Sequence, residues 1–351
     1  MFHTLKVKEV RRETADCVSI ALEVPDALRP HFQYKSGQYL TLKKDIGGED
    51  IRRSYSLCSS PFENEWRVAV KQVEGGVFST FANTRLKKGD VLEAMAPLGH
   101  FTLPEAISTG QHFVFFAAGS GITPVFSLIK TLLHQHPHTT CTLVYGNRNA
   151  AGVIFRESIE GLKNKYLERF QIFHILSRER MDNDLGNGRI DADKVHLFFG
   201  KIPDVYKGDE FYICGPLDMI ESARSVLQER QVAPQCVHFE LFNAPVRPKD
   251  AARKPAAYYK KSHASIRLDG LTFEVDVPEG SSILDAAQAA GADLPFACKG
   301  GVCCTCRAKL AEGAVEMEVN FSLTEEETNA GYILTCQSIP KTDRVVVDFD
   351  V

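Results

Sequence analysis

Cys298-Lys299-Gly300-Gly301-Val302-Cys303-Cys304-Thr305-Cys306 is the stretch from which the rest of this chain is read. Cys298, Cys303 and Cys306 have four and then two residues between them, and Cys336 lies beyond a further 29. C-x4-C-x2-C with one distant cysteine is the ligand spacing of a [2Fe–2S] cluster. Four residues suffice to wrap backbone N–H groups around bridging sulfides, and Gly300 and Gly301 carry no Cβ to hold the backbone away. Cys304 falls out of register and reads as a loop residue. The competing reading is structural zinc. Zinc sites usually pair cysteines as C-x2-C twice, and only Cys303 and Cys306 pair that way here.

The flanks agree with the cluster. Residues 263–277 alternate as a hairpin, with Ile266, Leu268, Leu271, Phe273, Val275 and Val277 on one period and a turn at Asp269-Gly270. Ser281 or Ser282 then caps a helix from Ile283 to Ala290, which Gly291 stops. Hairpin, helix and cysteine loop in this order resemble the β-grasp of plant-type ferredoxins.

At 351 residues the chain has room for two or three domains. No apolar run approaches the ~20 residues needed to span a bilayer. The N-terminus is charged throughout, so no secretory signal is expected. Cysteines outside the cluster (Cys17, Cys58, Cys141, Cys214, Cys236, Cys304) form no disulfide framework, which points to reduced thiols and a cytoplasmic protein. The net charge is −4. It is unevenly spread. His263 to Val351 has 6 Lys/Arg against 15 Asp/Glu, a balance of −9, while Asn243 to Ser262 has 6 against 1, a balance of +5. Nothing forms a basic patch on a folded module, so nucleic acid is excluded as a partner, and no membrane association is expected.

Residues 1–103 read as short strands such as Leu5–Lys8 and Val18–Leu22, with turns at Pro25-Asp26, Gly47-Gly48, Gly75-Gly76 and Lys88-Gly89-Asp90. A small antiparallel barrel follows. In Arg52-Arg53-Ser54-Tyr55-Ser56, Arg53 and Tyr55 share one face of a strand, a fork for phosphate beside a ring for stacking. A surface Arg-Tyr pair has the same pattern. Gly75-Gly76-Val77-Phe78-Ser79-Thr80 either opens backbone N–H groups to a pyrophosphate or is a plain hairpin turn. Ser79 or Thr80 is expected to cap a helix from Phe81 to Leu86.

Residues 111–242 change to strands alternating with helices: His112–Ala118, Cys141–Tyr145, Gln171–Leu176 and Glu210–Cys214, with helices near Pro124–Gln135, Arg156–Tyr166 and Leu217–Gln231. That alternation predicts a parallel α/β sheet covered on both faces. In Gly119-Ser120-Gly121-Ile122-Thr123-Pro124, Pro124 fits the first helical position and Thr123 its cap. Cys214-Gly215-Pro216 puts a cysteine at the carboxyl edge of the sheet, where such folds bind ligands. A small buried residue ending a strand fits Cys214 equally.

Taken in order, these stretches resemble the ferredoxin–NADP reductase superfamily with a plant-type ferredoxin fused behind it. Arg53-x-Tyr55-Ser56 and Gly75-Gly76…Ser79 match its flavin motifs. Gly119 to Pro124 and Cys214-Gly215-Pro216 match its pyridine-nucleotide motifs. Within it, Leu294 to Cys303, Val315-Glu316-Met317-Glu318 with Asn320, and Val345 to Asp350 are most similar to the reductase components of phenylacetyl-CoA epoxidases. The resemblance implies FAD, a [2Fe–2S] cluster held by Cys298, Cys303, Cys306 and Cys336, NADPH as cosubstrate, and the oxygenase of a multicomponent diiron monooxygenase as partner.

Carried over, Arg53 binds the FAD pyrophosphate, Tyr55 stacks on the isoalloxazine and Ser56 bonds near its N5. Val70 and Lys71 line the flavin, and Gly76, Val77 and Ser79 hold its phosphates. Thr123 and Cys214 meet the nicotinamide, and Gly119, Gly121, Pro124, Gly215 and Pro216 form the nucleotide turns. Glu240 and Phe242 close the other side of the flavin, so Ser56, Cys214 and Glu240 surround the hydride-transfer centre. Ser177-Arg178 reads the 2′-phosphate of NADPH, with Glu179 an unfavourable neighbour and a plain surface arginine the alternative.

The expected architecture is multi-domain: an FAD-binding antiparallel β-barrel (1–105), an NADP-binding α/β domain with a parallel sheet (106–243), a linker (244–262) and a β-grasp ferredoxin domain (263–351). Hydride transfer needs no protein nucleophile or acid–base pair, and the sequence presents none. Glu312, Glu316, Glu318 and Glu325-Glu326-Glu327 are either a docking surface or a solvated face. The alternatives are an NADH-dependent, FMN-type reductase of a ring-hydroxylating dioxygenase, and a redox-sensing or metal-binding module without turnover.

Overall fold

The computed structural model describes residues 1–242 and 261–351. The N-terminal strands are β1 (Phe2–Thr14), β2 (Cys17–Glu23), β3 (Tyr39–Ile46), β4 (Glu49–Ser56), β5 (Trp66–Lys71) and β6 (Val91–Met95), with helix α1 (Val77–Thr84) between the last two. They pair in the order β4-β3-β6-β1-β2-β5. Leu57, just past β4, bridges Val68 of β5 and closes the barrel. Gly47 and Gly48, at φ +72° and +86°, make the tight turn between β3 and β4, since two positive φ values match the right-handed twist of a hairpin. Leu5 to Lys8 alternates buried and exposed as its sequence predicts, but Val18 to Leu22 is buried throughout. The reason is Arg67, 7% exposed, whose guanidinium lies over that strand and bonds Ser19, Glu9 and Glu65. The Pro25-Asp26 turn opens into a single 3-10 turn, Asp26–Leu28.

The second part alternates as expected: β7 (His112–Ala118), α2 (Ile122–Gln135), β8 (Thr140–Asn147), α3 (Arg156–Lys165), β9 (Phe170–Leu176), α4 (Ala192–Lys201), α5 (Pro203–Tyr206), β10 (Glu210–Cys214), α6 (Leu217–Glu229) and β11 (Val237–Glu240). The parallel order is β11-β10-β7-β8-β9. Three of these elements, α4, α5 and β11, are absent from the sequence reading. Strand β11 is four residues long and half-buried, too short for a periodic signal. Helix α2 is apolar nearly all round because most of its surface is covered, with Lys130, His134 and Gln135 left at the edge: its core also takes in Cys17, Cys58, Ala69 and Phe101 from the barrel. Ser127 on α2 donates to the Ser59 carbonyl at 2.5 Å, and Tyr212 donates to the Thr102 carbonyl at 3.0 Å. These contacts join barrel and parallel sheet into one compact unit, Met1–Phe242.

The second unit holds β12 (Ser262–Leu268), β13 (Leu271–Val277), α7 (Ile283–Ala289), β14 (Arg307–Glu312), β15 (Val315–Met317), α8 (Glu325–Asn329), β16 (Tyr332–Leu334), β17 (Ser338–Pro340) and β18 (Arg344–Asp348). Five strands order as β13-β12-β18-β14-β16, with β15 and β17 as a separate pair. Strands β12 and β18 run parallel, and the sheet carries α7 on its apolar face. Asp269 and Gly270, at φ +52° and +73°, make the hairpin turn, and Ser282 caps α7 by accepting from the Asp285 N–H at 3.1 Å. The linker expected at 244–262 lies outside the described residues up to 260, and its last residue, Ser262, begins β12. No helix among the described residues is long and apolar enough to cross a membrane.

Candidate functional site

In the parallel sheet the chain leaves β7 toward β8 and β9, then returns to place β10 and β11 on its other side. Ligands bind at such a reversal, beyond the carboxyl ends of the strands. Two turns meet there. After β7 comes a 3-10 turn, Gly119–Gly121, and after β10 comes Cys214-Gly215-Pro216. The turns touch through backbone alone: a Cβ on Gly121 would stand 2.0 Å from the Cys214 carbonyl oxygen. A Cβ on Gly215 would meet the Met219 methyl at 2.6 Å. Gly119 sits at φ +53°, and its carbonyl accepts from the Tyr145 hydroxyl at 3.1 Å.

Residues 184 positions apart come together in this crevice: Ser56, ending β4, donates to Glu240, ending β11, at 3.1 Å. Cys214 is the register partner of Glu240 on the neighbouring strand. Glu240 is half-buried as a residue, yet burial of its carboxyl pushes its pKa up to about 8, against the opposing pull of the Ser56 hydrogen bond. A carboxyl with that pKa still holds its proton at neutral pH. Ser56 and Glu240, which the resemblance sets around one centre, are therefore a proton-holding pair that no spacing within the chain marks. Cys214 is 0% exposed, and burial, joined at alkaline pH by the charge of ionised Glu240, raises its thiol pKa well above the ordinary value. The Cys214 thiol is a packed, protonated group.

On the barrel side, Arg53 is exposed and Tyr55 half-buried, its ring 5.4 Å from that of Phe78. The following helix starts at Val77, four residues before the expected Phe81, and Gly76 is its N-cap with no side chain capping it. The first-turn N–H groups of α1 are thus open to an anion, which fits a phosphate-bearing flavin. Ser79 is not the cap. It lies within the first turn, accepts from the Val73 N–H at 3.1 Å and donates to the Gly76 carbonyl at 3.2 Å, so it braces the Gly75-Gly76 loop. Val70 is 0% exposed and points into the barrel core, leaving only its backbone to line a ligand. Lys71 reaches Asp16 at 3.6 Å. Phe242 packs against the core shared by barrel and sheet.

Thr123 and Pro124 correct the expected cap. Helix α2 starts at Ile122 after the 3-10 turn, so Thr123 is its second residue and donates to the Ser120 carbonyl at 3.0 Å. Both Thr123 and Pro124 are buried. Pro216 instead precedes α6 as its N-cap, without a capping side chain. Ser177 and Arg178 are exposed beyond β9. The Arg178 N–H donates to the Arg148 carbonyl at 2.8 Å, which sets two exposed arginines on adjacent strand ends. Arg148 is absent from the sequence reading, although its place one residue past an apolar strand is a usable signal. Glu179 accepts from the Ala150 N–H at 2.8 Å.

The four spaced cysteines gather as two pairs. Cys303 lies 3.1 Å from Cys298, sulfur to sulfur, and Cys306 pairs with Cys336. Within each pair one thiol keeps the proton. The Cys303 hydrogen bond pulls Cys298 down to about 6 while Cys303 rises, and Cys336 falls while Cys306 rises. Two cysteine pairs, with the Gly300 N–H 3.3 Å from the Cys298 sulfur, fit a two-iron cluster. Gly301 needs its missing Cβ: at φ +72° the added carbon would stand 2.8 Å from the Val319 carbonyl oxygen. Cys304 turns away and donates to the Ser322 carbonyl at 3.2 Å. In the acidic stretch, Glu325 and Glu326 are exposed, but Glu327 turns inward to Arg307 and to the Thr324 cap, and Glu316 pairs with Lys341.

Comparison with known proteins bears on all three parts. Residues 4–103 match the oxidoreductase FAD-binding domain, 115–225 the oxidoreductase NAD-binding domain, and 266–341 the 2Fe-2S iron-sulfur cluster binding domain. One component of the 1,2-phenylacetyl-CoA epoxidase of Escherichia coli (strain K12) is 43% identical over 99% of this chain and 98% of its own length. The ferredoxin reductase component of 3-ketosteroid-9-alpha-monooxygenase from Rhodococcus rhodochrous is 35% identical over 98% of this chain and 96% of its own. Phthalate dioxygenase reductase shares the fold at a TM-score of 0.61 and 24% identity, over 99% of this chain and 98% of that one. The chain belongs to the ferredoxin–NADP reductase family, among the reductase components that carry FAD-binding, NAD-binding and 2Fe-2S domains in one polypeptide and pass electrons from a nicotinamide nucleotide to an oxygenase.

Proposed function

We propose that this chain is the NADPH-dependent reductase of a cytoplasmic multicomponent diiron oxygenase acting on phenylacetyl-CoA. The observation that carries the reading is the 43% identity to the epoxidase component along the whole chain. The test is reconstitution: with the oxygenase proteins of that epoxidase, NADPH oxidation becomes dependent on phenylacetyl-CoA. Oxidation that another oxygenase couples and this one does not would overturn it. The ten free cysteines suit a reducing compartment.

When bound, FAD accepts a hydride from the nucleotide and the [2Fe–2S] cluster carries one electron at a time. The chain's own residues do the positioning. Arg53 and the open first turn of α1, at Gly76 and Val77, hold the flavin phosphates, with Ser79 bracing that turn. Tyr55 and Phe242 stack about the ring, and Lys71 and the Val70 backbone line it. Gly119, Gly121, Gly215 and Pro216 keep the nucleotide crevice free of side chains, while buried Thr123 and Pro124 hold the start of α2 in place. Cys214 keeps water from the back of the crevice. Cys298 with Cys303 and Cys306 with Cys336 hold the two irons.

Ser56 and Glu240 hold a proton at the hydride-transfer centre. Burial raises the Glu240 pKa from 4.5 to about 8. The folded chain therefore binds a proton that the unfolded chain has lost, so this group lowers stability as pH rises from about 5 to 8, and the cost is absent below that window. Flavin reduction should fall through a midpoint near 8. Ionised Glu240 opposes the negative charge that a hydride brings, so Glu240→Gln, neutral at every pH, should flatten both profiles and keep reduction near its low-pH rate. An inflection unchanged in the variant assigns the proton elsewhere.

Arg148 and Arg178 read the 2′-phosphate, a dianion suited to two guanidinium forks. Arg178→Ala should raise the KM for NADPH about 10–100-fold, the worth of one charge-assisted bond, and leave that for NADH unchanged. Wild-type preference for NADH, measured by bleaching of the flavin bands, would remove this assignment.

A further inference from the structure

Gln337, directly after the fourth cysteine, is 8% exposed. Its side-chain nitrogen stands 3.0 Å from the Lys299 carbonyl, 3.1 Å from the Cys336 carbonyl and 3.5 Å from the Cys336 sulfur. Every neighbour is an acceptor, which orients the amide with its N–H groups toward them. Lys299 lies next to Cys298 and adopts φ +50°, a left-handed conformation that is unfavourable for a non-glycine residue. Its side chain is occupied too, held by Asp285 and Gln288 of α7. The Gln337 backbone is fixed at both ends, its N–H on the Leu334 carbonyl at 2.8 Å and its carbonyl on the Glu318 N–H at 2.9 Å. A Cβ on Gly301 would meet the Gln337 side chain at 3.3 Å, so the glutamine fills the space under the loop.

We propose that Gln337 is the clasp of the cluster site: one amide ties the loop bearing the first iron's ligands to the arm bearing Cys336 and donates to the Cys336 sulfur, raising the cluster's reduction potential. Donors to ligand sulfur favour the reduced, more negative cluster, and outer partners set ligand orientation. The inference rests on the [2Fe–2S] reading of the four cysteines. A wild type without cluster absorption would remove that reading, whereas unaffected variants of a loaded wild type would remove only the clasp.

The test is an anaerobic redox titration of the full-length protein, followed by the paramagnetic resonance of the reduced cluster. Gln337→Met keeps the length and removes the donor. Gln337→Glu keeps the shape and puts an acceptor against acceptors. The expected order of midpoint potentials is wild type, then Met, then Glu, with the Met shift near tenfold in the oxidation equilibrium, about 59 mV for one electron. Iron content and the flavin bands should match wild type. A loaded Met variant with unchanged potential and resonance overturns the proposal. If Met does not load, the Glu variant decides on the same criterion. Loss of iron from both, with native circular dichroism and flavin reduction intact, supports the clasp. Loss of the fold of the second unit in both overturns it in favour of plain core packing.

Discussion

Cys306→Ser abolishes the cluster absorption and cuts electron delivery to the oxygenase by at least about 100-fold, because removing a ligand exceeds the 10–100-fold cost of removing even an outer partner of a metal site. Cys306 is 1% exposed and ends the cysteine loop. Its carbonyl accepts from the Thr335 N–H at 3.1 Å and hydroxyl at 3.0 Å, so the backbone carrying Cys306 and Cys336 is stapled independently of either sulfur. Serine preserves that staple and nearly the same volume. It replaces a soft thiolate by a hard oxygen that iron–sulfur chemistry accepts poorly. Nucleotide-driven reduction of ferricyanide should stay within about twofold, since it draws on the flavin and nucleotide domains of the first unit alone. Serine variants that keep iron and absorption would mean that these cysteines are not its ligands. Zinc in place of iron in the wild type would bring back the C-x2-C alternative.

Gly121→Ala is expected to damage fold and nucleotide site together. The added carbon would stand 2.0 Å from the Cys214 carbonyl oxygen and 3.0 Å from the Gly215 nitrogen, both main-chain atoms. A flexible side chain could swing aside, but two strand ends locked in adjacent ladders cannot. Overpacking of this kind costs about 3 kcal/mol or more. For a unit of this size that lowers the melting temperature by about 10 °C. The surviving protein should show the KM for its nicotinamide nucleotide raised at least about tenfold, because the crevice between β7 and β10 must widen to fit the methyl. Gly161→Ala is the control. It lies within α3 with no atom from outside its own turn of helix within 4 Å of the new carbon, so the helix should gain up to about 1 kcal/mol. Equal melting points for the two variants would show that the two turns do not bear on each other.

Much of the fold is legible because its signals are local. Asp269-Gly270 is a hairpin turn wherever it occurs between alternating runs, and Ser282 caps a helix within three residues of itself. Strands β7 and β10 can be placed to the residue since apolar runs between polar turns leave little freedom. The errors are also local in cause. Thr123-Pro124 looks like a cap followed by a first helical residue. In the fold the 3-10 turn of Gly119–Gly121 already supplies the helix start, and the backbone contact with Cys214 holds it there. The expected Ser79 cap fails likewise, because Gly76 with no side chain leaves the helix end open for a phosphate where a serine cap would close it.

By itself the sequence located the cysteine loop of the 2Fe-2S domain, the three kinds of sheet and their order, since each rests on spacing within one stretch of chain. Only the tertiary structure decided what surrounds the site residues. Glu240 is an ordinary carboxylate until β11 sets it beside Cys214 and opposite Ser56, where loss of water raises its pKa to about 8. Val70 turns into the core, Arg148 joins Arg178, and Gln337 reaches back to Lys299 across 38 positions. Proton affinity, charge pairing and hydrogen bonding depend on which groups share a desolvated space, and chain folding alone brings residues that far apart in sequence into one.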